Sequence, residues 1–226
     1  MGSLFEKYRP TQWSEVVGQD KAVSTLKRIV ASDGGGGRVY FISGKSGTGK
    51  TSIARILAGE LAEDFCITEI DAGEITEATV RELAKSIRHK SAFSKPGRVI
   101  VLNEIHGISK RVMRSLLTIL EDIPEHAAWI LTTTEDGADS LFDSEDKSID
   151  ASPFGSRCIP IGLSQRGLAE VFARHALEIA TREGLAGSAT LKDFVRLAND
   201  CRSNLRMMLT RLEAGEFVEE TALAVA

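Results

Sequence analysis

The chain has 226 residues, 42% of them hydrophobic and 27% charged, and a formal net charge of −4. This length can bury a core as one large domain, or as one domain with a small appendage. No apolar run is long enough to span a bilayer, and the N-terminal MGSLFEKYRP lacks the apolar core of a secretory signal, so we expect an intracellular protein. The small negative charge gives no general attraction for nucleic acid, so DNA binding would need a local basic face.

The cysteines and histidines do not predict a disulfide framework or a zinc site. The three cysteines lie far apart without a C-x-x-C pair, which favours buried or incidental thiols: Cys66, Cys158 and Cys201. The four histidines lack ligand spacing, and we interpret them as structural or surface residues: His89, His106, His126 and His175.

Apolar runs and helical periodicity alternate along the first two thirds of the chain. Strands are predicted at 39–43, 65–70, 98–103, 127–133 and 158–161. Helices are predicted at 51–62, 76–90 and about 110–120. This alternation indicates an α/β domain in which helices flank a parallel sheet.

The last third of the chain is different in character. Between 134 and 157 it is acidic and irregular, as expected of a solvated surface loop. After Gly162 only helices are predicted, at 165–183, 190–200 and 204–213, with Ser164 and Ser203 as N-caps. We therefore predict two domains, an α/β domain over 1–162 and a small helical domain over 163–226.

The segment GKSGTGKT fits the phosphate-loop pattern G-x-x-x-x-G-K-[ST] and lies between a predicted strand and a predicted helix. Small residues let consecutive backbone N–H groups turn toward phosphate oxygens, and the helix points its positive N-terminus at the same anion. Lys50 would contact the β- and γ-phosphates, and the Thr51 hydroxyl would bind Mg²⁺. The predicted nucleotide-binding residues are Gly44, Lys45, Ser46, Gly47, Thr48, Gly49, Lys50, Thr51 and the adjoining Ser52.

The run VIVLNE ends a predicted strand in Asn103 and Glu104, where nucleotide hydrolases usually carry two carboxylates. Glu104 keeps the role of polarising the attacking water. Asn103 offers one carbonyl oxygen to a metal-bound water, but it brings no charge and adds two N–H donors. Mg²⁺ should be held less firmly, and hydrolysis should be slowed rather than abolished.

The helix predicted after this strand end carries Lys110, Arg111 and Arg114 on one face. Such a face suits a DNA backbone, although an ordinary solvated helix face explains it equally well. A second basic cluster, at Lys85, Arg88 and Lys90, gives weaker grounds for predicting DNA contacts. Aromatic residues are not interleaved with either cluster, so contacts should be to phosphates and independent of base sequence.

Several stretches together resemble the clamp-loader branch of the AAA+ ATPases, the replication factor C and bacterial gamma-subunit type. They are FEKYRPTQWSEVVGQDKAVSTLKRIV near the start, the phosphate loop, NEIHGISKRVMRSLLTILEDIPEHAAWILTTTE, and GSRC at 155–158. The resemblance covers about 4–213. It implies a P-loop NTPase of AAA+ type with a central parallel sheet, a small helical lid domain, ATP or ADP with Mg²⁺ as cofactors, and ATPase activity.

The resemblance also assigns roles to individual residues. Thr133 or Thr134 would be sensor 1, which orients the attacking water. Arg157 of the S-R-C motif would be an arginine finger that reaches a neighbouring subunit, and Arg206 would be the sensor 2 arginine. Five residues would lie near the base: Tyr8, Arg9, Pro10, Val17 and Gly18.

Three departures from the family leave alternatives open. These are Asn103, the acidic insertion after sensor 1, and the absence after Ala226 of the family's collar domain, which would mean either a fragment or assembly through nucleotide and DNA. The first interpretation is a subunit that loads a sliding clamp on DNA with other AAA+ subunits, in a homo- or hetero-oligomer such as a pentamer. It would act in the cytoplasm or nucleoid, or in the nucleus of a eukaryote. The second is a nucleotide-binding scaffold with little or no hydrolysis. The third is another DNA-acting AAA+ machine, for branch migration or transposition control.

Overall fold

The structure is a computed structural model that describes residues 2–91, 95, 97–134 and 157–215. Its α-helices are α1 (Leu4–Lys7), α2 (Asp20–Asp33), α3 (Lys50–Leu61), α4 (Glu77–Ser86), α5 (Lys110–Ile119), α6 (Ala169–Arg182), α7 (Leu191–Asp200) and α8 (Leu205–Ala214). Its strands are β1 (Arg38–Ser43), β2 (Ile67–Asp71), β3 (Arg98–Asn103), β4 (Ala127–Thr133) and β5 (Cys158–Gly162). Residues 135–156 of the predicted acidic loop lie outside the described residues.

The five strands form one parallel sheet in the order β2-β3-β4-β1-β5. All five predicted strands are confirmed, with ends within two residues of the prediction. β3 and β1 lie on either side of β4, so the carboxyl ends of these three strands share one edge of the sheet. In open parallel sheets ligands bind beyond this edge.

The central strands are apolar because they are buried on both faces. All seven residues of β4 are buried, and Trp129 and Ile130 are fully enclosed. The core around Trp129 includes Ile100 and Leu102 of β3, Val80 of α4 and other apolar residues of α5. This packing fixes where the polar residues that follow each strand are placed.

The chain divides into two compact units. One, the sheet unit, comprises 21–45 and 50–163, and the other, the helical unit, comprises 1–20, 46–49 and the chain from 164 onward. In the helical unit α6 contacts α7 and α8, and α1 contacts α8. Leu4 lies in the same core as Phe172, Phe194 and Met208. The N-terminal segment thus packs with the C-terminal helices, while the predicted domains 1–162 and 163–226 stay a prediction.

The helix ends differ from the sequence prediction in two ways. α4 ends at Ser86 rather than at 90, and α6 begins at Ala169 rather than at 165. The predicted N-caps Ser164 and Ser203 were wrong. Asn204 caps α8 by accepting a hydrogen bond of 3.1 Å from the Met207 N–H, because Ser203 has a left-handed φ of 54°, unlike the extended φ of a helix N-cap.

All three cysteines are unpaired and buried, which confirms the interpretation as buried thiols. Burial raises the pKa of the Cys158 thiol to about 12. This thiol is therefore protonated at neutral pH and is a poor nucleophile or metal ligand. Among the described residues, groups of three or more His, Cys, Asp or Glu side chains that could hold a metal ion are absent.

Candidate nucleotide-binding site

The predicted phosphate loop joins the end of β1 to the start of α3. Gly47 and Gly49 have φ values of 78° and 96°, a region that L-residues with side chains rarely adopt. The turn therefore needs glycine at both positions. Helix α3 has 12 residues, and the N-terminus of such a helix directs backbone N–H groups and a positive dipole end toward the loop. This is the backbone arrangement that binds a phosphate.

Lys50 is buried, and its ammonium group faces the loop rather than solvent. Its Nζ donates to the carbonyl oxygens of Gly44 at 2.9 Å and Lys45 at 3.3 Å. A buried ammonium is costly unless it is paired. An ammonium group held against the loop in this way is placed to attract an anion there.

Two residues of the helical unit contact the loop, and the sequence did not reveal either. Gln165 donates from Nε2 to the Ser46 carbonyl at 3.0 Å. A Cβ atom added to Gly47 would lie 2.0 Å from Asn204 Oδ1. Gly47 is thus required both by its backbone conformation and by the close approach of Asn204. Neither polar residue belongs to a sequence motif, so only the fold identifies them.

Asn103, at the end of β3, is held by hydrogen bonds on both atoms of its amide. Its Nδ2 donates to Glu69 Oε1 at 2.7 Å, and its Oδ1 accepts from the Thr132 hydroxyl at 3.0 Å. Glu69 in turn forms an ion pair with Arg55 of α3 at 2.7 Å. Asn103 Oδ1 keeps one acceptor position for a metal-bound water.

The residues present fit a magnesium ion that is bound chiefly by phosphates and water. The predicted neutral oxygen donors are the Thr51 hydroxyl, at the start of α3, and the Asn103 amide oxygen. Mg²⁺ keeps several waters and needs few direct protein ligands when phosphates are present. When bound, the ion would neutralise negative charge on the β- and γ-phosphates.

Glu104 has a left-handed backbone, with φ 54° and ψ 51°. A non-glycine residue in this region is strained, and such strain concentrates at functional sites. The Glu104 N–H donates to the Thr132 hydroxyl at 3.3 Å. Its Oε2 atom is buried and has no hydrogen-bond partner. The Glu104 side chain as a whole is 43% exposed, so this enclosure concerns one carboxylate oxygen and not the entire group.

His106, predicted to be a structural or surface residue, lies beside Glu104. Its Nδ1 is 3.4 Å from Glu104 Oε2 and 3.1 Å from the Thr133 hydroxyl oxygen. Of the two sensor 1 candidates, Thr133 is fully buried at the end of β4, and Thr134 follows the strand. The fold thus brings Glu104, His106 and Thr133 together. In the sequence, only the position of His106 two residues after Glu104 indicated that the two side chains could lie close together.

The two candidate arginines each have a partner in their own unit. Arg157 forms an ion pair of 2.6 Å with Glu121. Arg206, in the first turn of α8, lies over the Phe5 ring, 5.2 Å from its centroid. An arginine finger or sensor would exchange such a contact for phosphate oxygens.

The N-terminal residues assigned to the base pack on the helical unit. The Tyr8 hydroxyl donates to Glu183 at 2.5 Å, and Arg9 donates to Glu6 at 2.9 Å. Val17 packs against the core of this unit, and a Cβ on Gly18 would lie 3.0 Å from the Leu168 side chain. Pro10 follows in the same segment. The segment therefore has a fixed conformation within the helical unit.

The predicted basic face on α5 is exposed, and Met113 and Leu116 form the buried side of the helix. Arg111 forms an ion pair with Glu77 of α4. In the second cluster, Arg88 pairs with Asp122 at 3.0 Å. Part of the positive charge that the sequence suggested is therefore neutralised by neighbouring carboxylates.

The parallel sheet, its strand order and the phosphate loop define a P-loop nucleotide-binding fold of the AAA class. Residues 40–146 match the family described as "ATPase family associated with various cellular activities (AAA)". The chain thus contains an AAA domain. Among the described residues, no helix is both long enough and apolar enough to cross a membrane.

The chain is also homologous to bacterial DNA polymerase III subunits. It is 29% identical to subunit gamma/tau of Mycoplasma pneumoniae, over 99% of this chain and 34% of that protein. It is 33% identical to subunit gamma/tau of Mycobacterium tuberculosis, over 59% of this chain and 27% of that protein. The chain spans about a third or less of the length of these relatives.

Solved structures of RuvB from Thermotoga maritima have the same fold. One matches with a TM-score of 0.68 and 19% identity, over 91% of this chain and 64% of that one. Another, described as a Holliday junction branch migration motor, matches with a TM-score of 0.54 and 21% identity, over 91% of this chain and 72% of that one. The predicted α/β fold with a parallel sheet is confirmed, and the resemblance to the clamp-loader branch agrees with the gamma/tau homology.

Proposed function

We propose that this chain binds ATP with Mg²⁺, hydrolyses it slowly and acts on DNA as a clamp-loader subunit. The observation that carries the proposal is the buried Lys50 ammonium, which faces the carbonyls of the glycine-rich loop at the start of α3. A site of this kind favours an anion with several oxygens. The gamma/tau homology supports clamp loading as the use of the nucleotide.

In this proposal the sheet edge supplies the chemistry. Thr51 and Asn103 hold the magnesium ion with its waters, Glu104 accepts a proton from the attacking water, and Thr133 or Thr134 orients that water. Arg157 acts on the nucleotide of a neighbouring subunit, and Arg206 acts on the phosphates of its own chain. The proposed partners are a sliding clamp, the DNA backbone and further AAA+ subunits, inside the cell.

A nucleotide-binding scaffold without turnover is the second candidate, and Asn103 favours it. Its amide is held between Glu69 and Thr132, so this position carries no charge toward the metal. A branch-migration motor is a weaker candidate, because RuvB shares the fold at 19% identity and identity that low shows nothing of function.

The first test measures ATP affinity and turnover of the wild type and of Lys50→Ala. We expect Lys50→Ala to abolish measurable ATP binding because it removes the cation inside the loop. Lys27→Ala, an exposed lysine on α2, is the matched control and should bind like the wild type. Equal ATP affinity of the wild type and Lys50→Ala would overturn the proposed site.

The second test separates the candidate functions. Steady-state hydrolysis with and without primed DNA distinguishes a clamp-loader ATPase, which DNA should stimulate, from a scaffold that binds ATP without turnover. A pull-down with purified sliding clamp distinguishes clamp loading from another DNA-acting machine. Binding of ATP with neither turnover nor clamp retention would contradict the clamp-loader proposal.

A further inference from the structure

His106 occupies a place that neither the phosphate loop nor the strand-end motif assigns. It lies in the one-turn helix Ile105–Gly107 that follows Glu104 directly. Ile105 is fully buried, and the Gly107 N–H donates to the Glu104 carbonyl at 2.9 Å. The turn is therefore anchored on both sides of His106.

The imidazole Nδ1 atom lies between an acceptor and a hydroxyl. Glu104 Oε2, at 3.4 Å, can only accept while the carboxylate is ionised, whereas the Thr133 hydroxyl, at 3.1 Å, can donate or accept. Oε2 is buried and lacks a hydrogen bond. An Nδ1–H that turns to Oε2 would satisfy this atom and leave the other carboxylate oxygen for a water molecule.

Through this nitrogen, the orientation of the Glu104 carboxylate depends on the hydrogen bonding of the Thr133 hydroxyl. When the Thr133 hydroxyl donates to Nδ1, that nitrogen carries no hydrogen, and its lone pair disfavours a close approach of the carboxylate. When the hydroxyl turns away toward a phosphate or a water, Nδ1 can carry the hydrogen and donate to Glu104 instead. Glu104, His106 and Thr133 can therefore form two hydrogen-bond arrangements. In only one of them does Glu104 Oε2 accept a hydrogen bond.

We propose that His106 is a positioning residue that couples Thr133 to Glu104, orienting the carboxylate for its water only when the buried hydroxyl has another partner. This inference rests on the proposed ATPase function and adds a residue to it. His106 neither gives nor takes a proton in the reaction; it fixes where the accepting oxygen lies. Misplacing such a group by about 1 Å costs roughly 100-fold in rate.

The test compares His106→Ala and His106→Asn with the wild type in single-turnover ATP hydrolysis, with ATP affinity and thermal stability measured on the same samples. We expect His106→Ala to lower the hydrolysis rate about 10- to 100-fold at unchanged affinity. His106→Asn keeps a short polar group near the Nδ1 position and should recover part of the rate. His89→Ala, an exposed histidine outside the site, is the control.

A double-mutant cycle makes the inference specific. In a Glu104→Gln background, His106→Ala should have little further effect, because the group that it positions is gone. A full additional loss would overturn the inference, as would an unchanged rate in His106→Ala alone. A wild type that binds ATP without hydrolysing it would overturn both this inference and the ATPase proposal, whereas normal turnover in His106→Ala would overturn only the inference.

Discussion

The side-chain amide of Asn103 donates a hydrogen bond of 2.7 Å to Glu69, across the pair of strands β3 and β2. An aspartate at position 103 would place a second carboxylate at a similar separation from Glu69. Two carboxylates that close disfavour each other's ionised form. Arg55 offsets part of this charge through its ion pair with Glu69. The asparagine therefore avoids a second carboxylate beside Glu69.

Asn103→Asp should lower the Mg²⁺ concentration needed for half-maximal hydrolysis and raise turnover, because it adds a negative charge at the proposed metal site. Adding Glu69→Gln should strengthen both effects, since the repulsion between the carboxylates is then removed. The measurement is steady-state hydrolysis against Mg²⁺ concentration. If Asn103→Asp changes neither quantity, our interpretation of Asn103 is wrong; Glu69→Gln alone is the control.

The sheet could be predicted from the sequence because its strands are buried on both faces. A run such as RVIVLN has few alternatives once turn residues and a helical pattern flank it. The phosphate loop could also be predicted, because its glycines and Lys50 have a fixed spacing. Asn103 and Glu104 followed from their place at the end of a strand, and the structure puts them at the same sheet edge as the loop.

The rest of the site could not be predicted because it depends on contacts between elements that are distant in sequence. Glu69 contacts Asn103 only because β2 pairs with β3, and Asn204 meets Gly47 only after folding. The prediction of Ser203 as an N-cap was wrong for a local reason, because the backbone of this residue is left-handed. The sequence around His106 does not indicate its hydrogen-bond partner. That partner, Thr133, lies 27 positions further along the chain.

Arg157 gives a prediction about subunits. If it acts on a neighbour's nucleotide, Arg157→Ala mixed with wild type should lower activity by more than dilution explains, because each mutant chain inactivates an adjacent site. The measurement is hydrolysis across mixing ratios at constant total protein. Glu121→Gln removes the 2.6 Å partner of Arg157 and keeps the arginine, so it should not inactivate a mixture. A linear dependence on the wild-type fraction would contradict a shared site.

The basic face on α5 gives a prediction for DNA binding. Arg114→Ala should weaken binding to any sequence and reduce the slope of log affinity against log salt by about 1. Glu77→Gln should raise the affinity, because it removes the carboxylate that pairs with Arg111. The measurement is fluorescence anisotropy at several salt concentrations.

Arg174→Ala is the matched control for these variants, since Arg174 is an exposed arginine on α6 that pairs with Glu170. It should leave both the affinity and the salt slope unchanged. Equal losses in Arg174→Ala and Arg114→Ala would show that general charge, not the α5 face, determines DNA binding.

Glu183 should make the attachment of the N-terminal segment depend on pH. Hydrogen bonds from Lys7 and Tyr8 lower the pKa of the Glu183 carboxyl below its ordinary 4.5. The same contacts with Glu183 raise the pKa of Lys7 above 10.5 and that of Tyr8 above 10.0. The stabilisation by Glu183 is thus present above about pH 4.5 and is lost as the pH falls through its lowered pKa. The stabilisation through Lys7 and Tyr8 is lost as the pH rises through their raised values.

Glu183→Gln should therefore lower the melting temperature at pH 7, and its difference from wild type should shrink steadily in acid. Thermal unfolding from pH 3 to pH 7 measures this. Glu178→Gln, which removes an exposed partner of Arg182 on α6, is the control and should change little at any pH because exposed ion pairs contribute little. A difference between Glu183→Gln and wild type that stayed constant through the acid range would mean that the carboxylate charge does not hold the N-terminal segment on the helices.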